Sequence, residues 1–106
     1  MEKLTNIVAY KFRGIIHFKN KEIEINHLFK DKREAIKYKT YIMSKLKKRS
    51  ENKNCSNFDV VTIENYLINL RYIVFINFSI TQMNVNNNYN FDTLEGLLNE
   101  NSDGSN

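Results

Sequence analysis

The alternation of apolar and charged residues between Ile16 and Ile25 constrains the fold of this chain more than any other feature of its sequence. With Asn20 and Lys21 as a two-residue turn, the two halves of this segment face each other as an antiparallel hairpin. The apolar pairs are then Ile16 with Ile25 and Phe18 with Ile23, and the charged pairs are His17 with Glu24 and Lys19 with Glu22. The alternation predicts a ribbon with one buried face and one face exposed to water.

The same alternation extends toward the N-terminus and places a row of cations on the exposed face of the first strand. The inner face carries Val8, Tyr10, Phe12, Gly14, Ile16 and Phe18, and the outer face carries Lys11, Arg13, His17 and Lys19. Gly14 has two interpretations, because a residue without a side chain either lets a ligand approach the backbone beside Arg13 or relieves a bend in the strand. The sequence therefore predicts a long cationic strand that begins near Asn6 and whose edge could recruit a second copy.

The strongest helix pattern in the chain runs from Asp31 to Arg49. Asp31 is a suitable N-cap, and Glu34 stands three residues later, where it would complete a capping box. Helical spacing gathers an apolar stripe of Ala35, Tyr38, Ile42, Met43 and Leu46. The pattern predicts an amphipathic helix. Its lysines near the C-terminus are stabilised by the negative end of the helix dipole.

The segment from Phe58 to Leu70 fits two kinds of structure. Its β-branched run, Val60 to Ile63, suits a strand. Its apolar residues at helical spacing, which are Val60, Ile63, Leu67 and Leu70, suit a helix capped by Asp59. The spacing favours a second helix, and the strand is the alternative.

Alternating residues from Tyr72 to Met83 predict a strand, and apolar residues on both faces at its start predict that it is central in the sheet there. An Asn-rich turn from Asn84 to Asn90 and a short helix from Thr93 to Asn99 follow. The whole pattern predicts one α+β domain over residues 1–99, in which an antiparallel β-ribbon packs on a long amphipathic helix. Residues 100–106 are predicted to be a disordered tail.

A helix, a loop, a second helix and a strand that ends in an Asn-rich tip give an order of elements that resembles a winged helix-turn-helix. The resemblance implies a DNA-binding domain with a winged-helix-like arrangement. In this chain the β-ribbon carries denser positive charge than the second helix. We therefore expect the ribbon to be the DNA-contacting element.

The composition limits the classes of protein to which this chain can belong. It has 106 residues, a formal net charge of +4 and a pI near 9.2, which suit an anionic partner. Lys, Asn and Ile are abundant while proline and tryptophan are absent, a bias typical of AT-rich genomes and of small phage or plasmid proteins. Cys55 is the only cysteine, so no intramolecular disulfide can form, and no apolar run is long enough to span a bilayer. These features predict a cytoplasmic protein of a mobile element.

The residues that could support catalysis are too scattered to predict an enzyme. His17 and His27 fall on opposite faces of the ribbon, so they cannot share a metal ion. The three glycines are far apart, so they form no phosphate-binding loop. We therefore expect no metal, no cofactor and no catalytic residue, and we interpret His27 as a histidine at the edge of the core that makes one hydrogen bond.

The cations of the ribbon predict a small basic DNA-binding protein that acts as an accessory factor in DNA processing or transcription. Alternate residues along a strand lie about 6.6 Å apart, a spacing that can follow a phosphate backbone. Paired asparagines four residues apart on a helix suit adenine edges. The residues expected to contact double-stranded DNA are Lys11, Arg13, Lys19, Lys21, Lys47, Lys48, Asn65, Asn69 and Arg71.

A protein-binding inhibitor is the alternative function, since small proteins of mobile elements also act on host or defence proteins. Six tyrosines could anchor such an interface, although at least half of them should be internal in so small a domain. An edge strand could pair with the same partner, or with a second copy to give a homodimer.

Overall fold

The computed structural model describes residues 5–47 and 60–102, and the side chains of all of these except residues 100–102. Its main sheet has three antiparallel strands in the order β2-β1-β5, and β3 and β4 form a separate hairpin. The strands are β1 Asn6–Phe18, β2 Glu22–Phe29, β3 Val60–Ile63, β4 Tyr66–Asn69 and β5 Ile73–Asn86. The helices are α1 Lys32–Leu46 and α2 Leu94–Ser102, and a 3₁₀ turn covers Leu70–Tyr72. The predicted α+β class is confirmed.

The β1–β2 hairpin turns one residue earlier than predicted, at Lys19 and Asn20. The backbone N–H of Phe18 donates to the carbonyl of Lys21 over 2.8 Å, and Ile16 therefore faces Ile23. Every predicted partner in the hairpin is wrong by two residues. A shift of two residues keeps each side chain that stays in a strand on its own face, so the predicted inner and outer faces are correct for those residues. Lys19, which was predicted on the outer face, lies in the turn.

The core lies between the inner face of the main sheet, α1 and the β3–β4 hairpin. Its buried side chains are Phe12, Ile16, Ile25, Phe29, Ala35, Tyr38, Ile42, Ile63, Ile68, Leu70 and Leu97. The Asp31 side chain caps α1 by accepting a hydrogen bond of 2.9 Å from the backbone N–H of Arg33, as predicted. Glu34 does not close the expected capping box, because its carboxylate accepts from the backbone N–H of Leu94, 2.8 Å away, and so joins α1 to α2.

Residues 60–70 do not form the second helix that their spacing favoured. The β-branched run of β3 pairs with Tyr66–Asn69, and the connecting turn places Glu64 at a φ of 56°. The strand preference of adjacent β-branched residues has outweighed the helical spacing of the apolar ones. Because a hairpin replaces the helix, the predicted winged-helix-like arrangement is also wrong.

Strand β5 is an edge strand, although burial on both faces was predicted at its start. Among the described residues it pairs only with β1, and the register shifts between His17 and Phe18, so that Val74 has no partner on β1. This bulge interrupts the alternation, and the side chains of Val74 and Phe75 are 62% and 51% exposed. The predicted edge near Asn6 is instead central from Tyr10 onward, since β1 lies between β2 and β5.

Gly14 serves the packing of the core. A Cβ atom at this position would lie 3.2 Å from ring carbons of Phe78 and 3.3 Å from the ring of Phe12. These distances are tighter than nine in ten real Cβ contacts, so glycine lets the two rings pack against the strand without displacement. The two rings therefore occupy the inner face at Gly14, where the sequence interpretation had allowed a ligand.

The C-terminal helix is longer than predicted. It runs to Ser102, so the first three residues of the predicted disordered tail continue the helix, and residues 103–106 lie outside the described part of the chain. Leu97 anchors this helix in the core. No helix of the described residues is long and apolar enough to cross a membrane.

Candidate functional site

The outer face of β1 is less cationic than its sequence suggests. The Arg13 Nε donates to the Glu24 carboxylate over 2.7 Å, and Asn26 donates to the same oxygen over 3.0 Å. This pairing raises the pKa of Arg13 and lowers that of Glu24. Glu24 was expected to pair with His17, whose Nδ1 instead lies 3.9 Å from Glu22. Of the two predicted DNA contacts in the paired part of β1, Arg13 is held by a carboxylate, and Lys11 has no ion-pair partner among the described residues.

The turn of the β1–β2 hairpin brings other predicted residues together. We call the cavity beneath this turn the tip groove; it has a volume of about 490 Å³ and is lined by Phe18, Lys19, Asn20, Lys21, Ile23, Leu67, Asn69 and Tyr72. The Asn69 side chain accepts a 3.0 Å hydrogen bond from the backbone N–H of Arg71. The fold thus gathers Lys19, Lys21, Asn69 and the backbone of Arg71 at one end of the molecule.

The remaining predicted residues lie apart from this end or outside the described range. Asn65 is in the β3–β4 turn and not on a helix, so it does not form the predicted face with Asn69. Lys47 follows α1 and lines a separate cavity with Ile76 and Phe78. Lys48 lies outside the described residues.

The most exposed apolar side chains of the described residues are concentrated where β4, the 3₁₀ turn and β5 follow one another. Five described apolar side chains are more than half exposed, and four of them occur between Leu67 and Phe75. These four, which we call the apolar end patch, are Leu67 at 77%, Tyr72 at 69%, Val74 at 62% and Phe75 at 51% exposure. A concentration of exposed apolar groups in so short a segment is unusual for a surface with no partner.

Next to this patch begins the free edge of β5. Because Phe18 hydrogen-bonds to Lys21, the even-numbered residues of β1 point their N–H and C=O groups at β2 and the odd-numbered ones at β5. In the register of β5, the even-numbered residues from Ile76 to Asn84 then point their backbone groups away from β1. Strand β5 has no second neighbour among the described residues, so these groups are available to another chain.

A polar network lies at the opposite edge of the sheet and joins four segments of the chain. The His27 ring contacts Glu64 through Nε2 and Asp92 through Nδ1, the latter over 3.0 Å. The hydroxyl of Tyr38 donates to Glu64 over 2.6 Å. His27 lies on the inner face, as predicted, but it contacts two carboxylates where one hydrogen bond was expected. We call this group the His27 network.

The charges of the His27 network stabilise one another. Burial lowers the pKa of His27, but Glu64 and Asp92 outweigh burial and raise that pKa above its ordinary value of 6.5. Burial raises the pKa of Glu64, but hydrogen bonds from His27 and Tyr38 outweigh it and lower that pKa below 4.5. Each ring nitrogen of His27 contacts a carboxylate, so the ring joins β2 to the β3–β4 turn and to the segment that contains Asp92. We therefore assign the network a structural role.

Asp92 covers part of the β2 edge. Its backbone N–H donates to the carbonyl of Leu28 over 2.9 Å, and its carboxylate accepts from the backbone N–H of Leu28 over 3.3 Å. An isolated parallel bridge joins Asp92 to Phe29. Glu64, which belongs to the same network, has a left-handed φ. This conformation costs on the order of 1–2 kcal/mol for a residue other than glycine. Sequence reasoning missed these contacts, because the partners of His27 are 37 and 65 residues away.

The six tyrosines divide evenly between the interior and the surface. Tyr38 is fully buried, and Tyr10 and Tyr41 are partly buried. Tyr66, Tyr72 and Tyr89 are 40%, 69% and 54% exposed. Tyr66 precedes the apolar end patch in the chain, and Tyr72 belongs to it.

No group of His, Cys, Asp and Glu side chains in the described residues could hold a metal ion. Comparison of the chain with protein-family models, curated proteins and solved structures finds no match.

Proposed function

We propose that this chain is a non-enzymatic protein-binding module whose β5 edge receives an extended segment of a partner protein as an added strand. The observation that carries the proposal is the composition of this edge, since the 14 residues of Ile73–Asn86 include no charged residue and no proline. Soluble proteins usually protect a free edge with charge, proline, bulges or a covering element. The bulge at Val74 lies at the start of β5, and the ladder from Phe75 onward is regular.

The apolar end patch supports the same proposal. A strand added to an edge gains affinity from main-chain hydrogen bonds and specificity from side-chain contacts. Tyr72 and Phe75 offer large aromatic surfaces where the edge begins, and such residues often dominate interface energies. The abundance of Lys, Asn and Ile is typical of small phage or plasmid proteins. The proposed module is accordingly an inhibitor encoded by a phage or plasmid and directed at a host or defence protein.

Proline scanning of the edge tests this proposal. Gln82→Pro removes an N–H that points away from β1, and Gln82→Ala keeps that N–H as the matched control. Partners captured by the unmodified chain should be lost with proline and kept with alanine, and hydrogen exchange of the complex should slow at the amides of Ile76, Phe78 and Ile80. Equal capture by all three proteins, with no slowing along β5, would contradict an added strand.

A second copy of the chain is a further candidate for the same edge. Two β5 strands paired antiparallel about a two-fold axis would give a continuous six-stranded sheet and a homodimer. Light scattering over a range of protein concentrations should then show a dimer that Gln82→Pro returns to the monomer. A monomeric mass at every concentration would leave the edge to a different partner.

Double-stranded DNA is the second candidate partner, and one observation favours it. Lys19, Lys21 and Asn69 line one groove at the hairpin turn. The Asn69 side chain accepts a hydrogen bond from the backbone N–H of Arg71, so Arg71 lies close to this groove. The ion pair of Arg13 with Glu24 reduces the positive charge of the sheet face, so any DNA contact would centre on this end.

Salt dependence tests the DNA candidate. The anisotropy of labelled duplex DNA should rise with protein concentration, and the logarithm of affinity should fall linearly with the logarithm of salt concentration. Lys19→Ala and Lys21→Ala should each reduce that slope by about 1, while Lys30→Ala should not. No binding at low salt would remove DNA as a partner.

A further inference from the structure

The tip groove combines apolar walls with two lysines that form no ion pair among the described residues. Phe18 and Ile23 come from the main sheet, whereas Leu67 and Tyr72 come from β4 and the 3₁₀ turn. Its volume of about 490 Å³ lies within the range of sites that bind small groups or side chains. A groove of this kind favours a ligand that buries an apolar group and carries negative charge.

The apolar walls stay exposed for a reason that the fold makes clear. Ile63 and Ile68 carry the β3–β4 hairpin into the core and are almost completely buried. Leu67 follows the opposite alternation and points away from the core, where a polar residue is usual in a half-exposed hairpin. A leucine that is 77% exposed beside a tyrosine that is 69% exposed leaves apolar surface that a partner can cover.

The cations at the groove are not neutralised within the described residues. No ion pair of the described residues includes Lys19 or Lys21. The Lys21 Nζ lies 5.8 Å from the centroid of the Phe18 ring, which keeps its charge at the mouth of the groove. Glu22, the nearest acidic residue in the chain, lies on the other face with His17.

We propose that the tip groove binds a partner segment in which an apolar side chain is flanked by carboxylates, an inference that rests on the proposed protein-binding function. The apolar side chain fills the space between Phe18, Leu67 and Tyr72. The flanking carboxylates pair with Lys19 and Lys21. Duplex DNA would satisfy the two lysines but would leave the apolar walls without a partner, so an acidic peptide fits the groove better.

Selection from random twelve-residue peptides displayed on phage tests the groove even while the natural partner is unidentified. Peptides enriched on the unmodified chain should combine Leu, Ile, Phe or Met with Glu or Asp on both sides. Their affinity should fall about tenfold or more in Lys19→Glu/Lys21→Glu and with increasing salt. Lys30→Glu/Lys37→Glu, a matched reversal of two exposed lysines elsewhere, should leave the affinity nearly unchanged.

A charge exchange separates recognition from damage to the fold. Selected peptides resynthesised with Lys in place of Glu and Asp should bind Lys19→Glu/Lys21→Glu and lose affinity for the unmodified chain. Leu67→Ser should lower the affinity for the original peptides at both low and high salt concentration, since it removes an apolar wall of the groove. Rescue by the exchanged peptides would support the proposal directly, and failure of that rescue would overturn it.

The remaining outcomes separate this inference from the proposed function. Peptides without acidic residues that bind Lys19→Glu/Lys21→Glu normally but fail with Gln82→Pro would overturn the groove and keep the β5 edge as the binding site. Duplex DNA binding that requires both lysines, without peptide enrichment, would overturn it in favour of nucleic acid. No enrichment of any peptide and no DNA binding would overturn both the groove and the protein-binding function.

Discussion

The β2 edge of the main sheet is acidic and partly covered, whereas the β5 edge carries no charge and has no covering strand among the described residues. Glu22 and Glu24 stand on β2, and Asp92 occupies both backbone groups of Leu28. Charge and cover are two of the ways in which proteins keep an edge from pairing with another chain. One edge of the sheet therefore has two protections and the other has almost none. The difference indicates that β5, and not β2, is the edge suited to pair with another molecule.

Proline substitutions on β5 test which backbone groups of this strand face β1 and which form the free edge. Thr81 faces Lys11 and points its N–H at β1, so Thr81→Pro should lower the free energy of unfolding by about 2–4 kcal/mol. Gln82→Pro should cost less than about 1 kcal/mol, because its N–H points away from β1. Urea unfolding of both variants measures the contrast, and equal losses would show that the backbone groups of β5 are oriented differently.

The cover of the β2 edge depends on the charge of His27. His27→Gln removes the cation between two carboxylates and should lower the free energy of unfolding by about 2–3 kcal/mol near pH 6. His17→Gln is the control for the charge, since the ring of His17 lies 3.9 Å from the more exposed carboxylate of Glu22 and also stacks on Phe75. This substitution should cost about 0.5–1.5 kcal/mol, mostly from the lost ring stacking. Hydrogen exchange at Leu28 should quicken only in His27→Gln, and unchanged exchange there would separate the network from the edge.

The pH dependence gives the smallest and most gradual effect. The raised pKa of His27 stabilises the fold fully below 6.5, and this stabilisation is lost as the pH rises through the raised value. The lowered pKa of Glu64 stabilises the fold above 4.5, and this stabilisation is lost as the pH falls through the lowered value. The melting temperature should therefore decline on the alkaline side in the unmodified chain, and His27→Gln should not show that decline. A decline of equal size in both proteins would place its cause outside the His27 network.

Alternation along the chain was sufficient to predict the faces of the hairpin but not its register. A turn at Lys19 and Asn20 and a turn at Asn20 and Lys21 bury the same side chains, so burial cannot distinguish them. The helix α1 was predictable because its N-cap, apolar stripe and length agreed with one another. In the segment from Val60 to Leu70 these signals disagreed, and the β-branched residues prevailed.

The candidate binding surfaces were predictable only in part. The sequence indicated the lysines of the hairpin turn, but two of the apolar wall residues of the tip groove, Leu67 and Tyr72, lie about 50 positions later in the chain. Nothing in the pattern of β5 marked Val74 as a bulge, although that bulge exposes two residues of the apolar end patch. The pairing of Arg13 with Glu24 could be predicted only from the observed register, and the register predicted from the sequence differs from it by two residues.

The contact between His27 and Asp92 has a consequence for the order of events during synthesis. The two residues are 65 positions apart, so β2 leaves the ribosome long before the residue that covers its edge has been made. Strand β5 is also absent at that stage, and β1 has only β2 beside it. Until the later segments arrive, the glutamates of β2 help to protect this edge of the nascent hairpin against pairing with a neighbouring chain, because charged side chains on an edge disfavour such pairing. Their charge is therefore needed earlier in the life of the molecule than the cover that finally lies beside them.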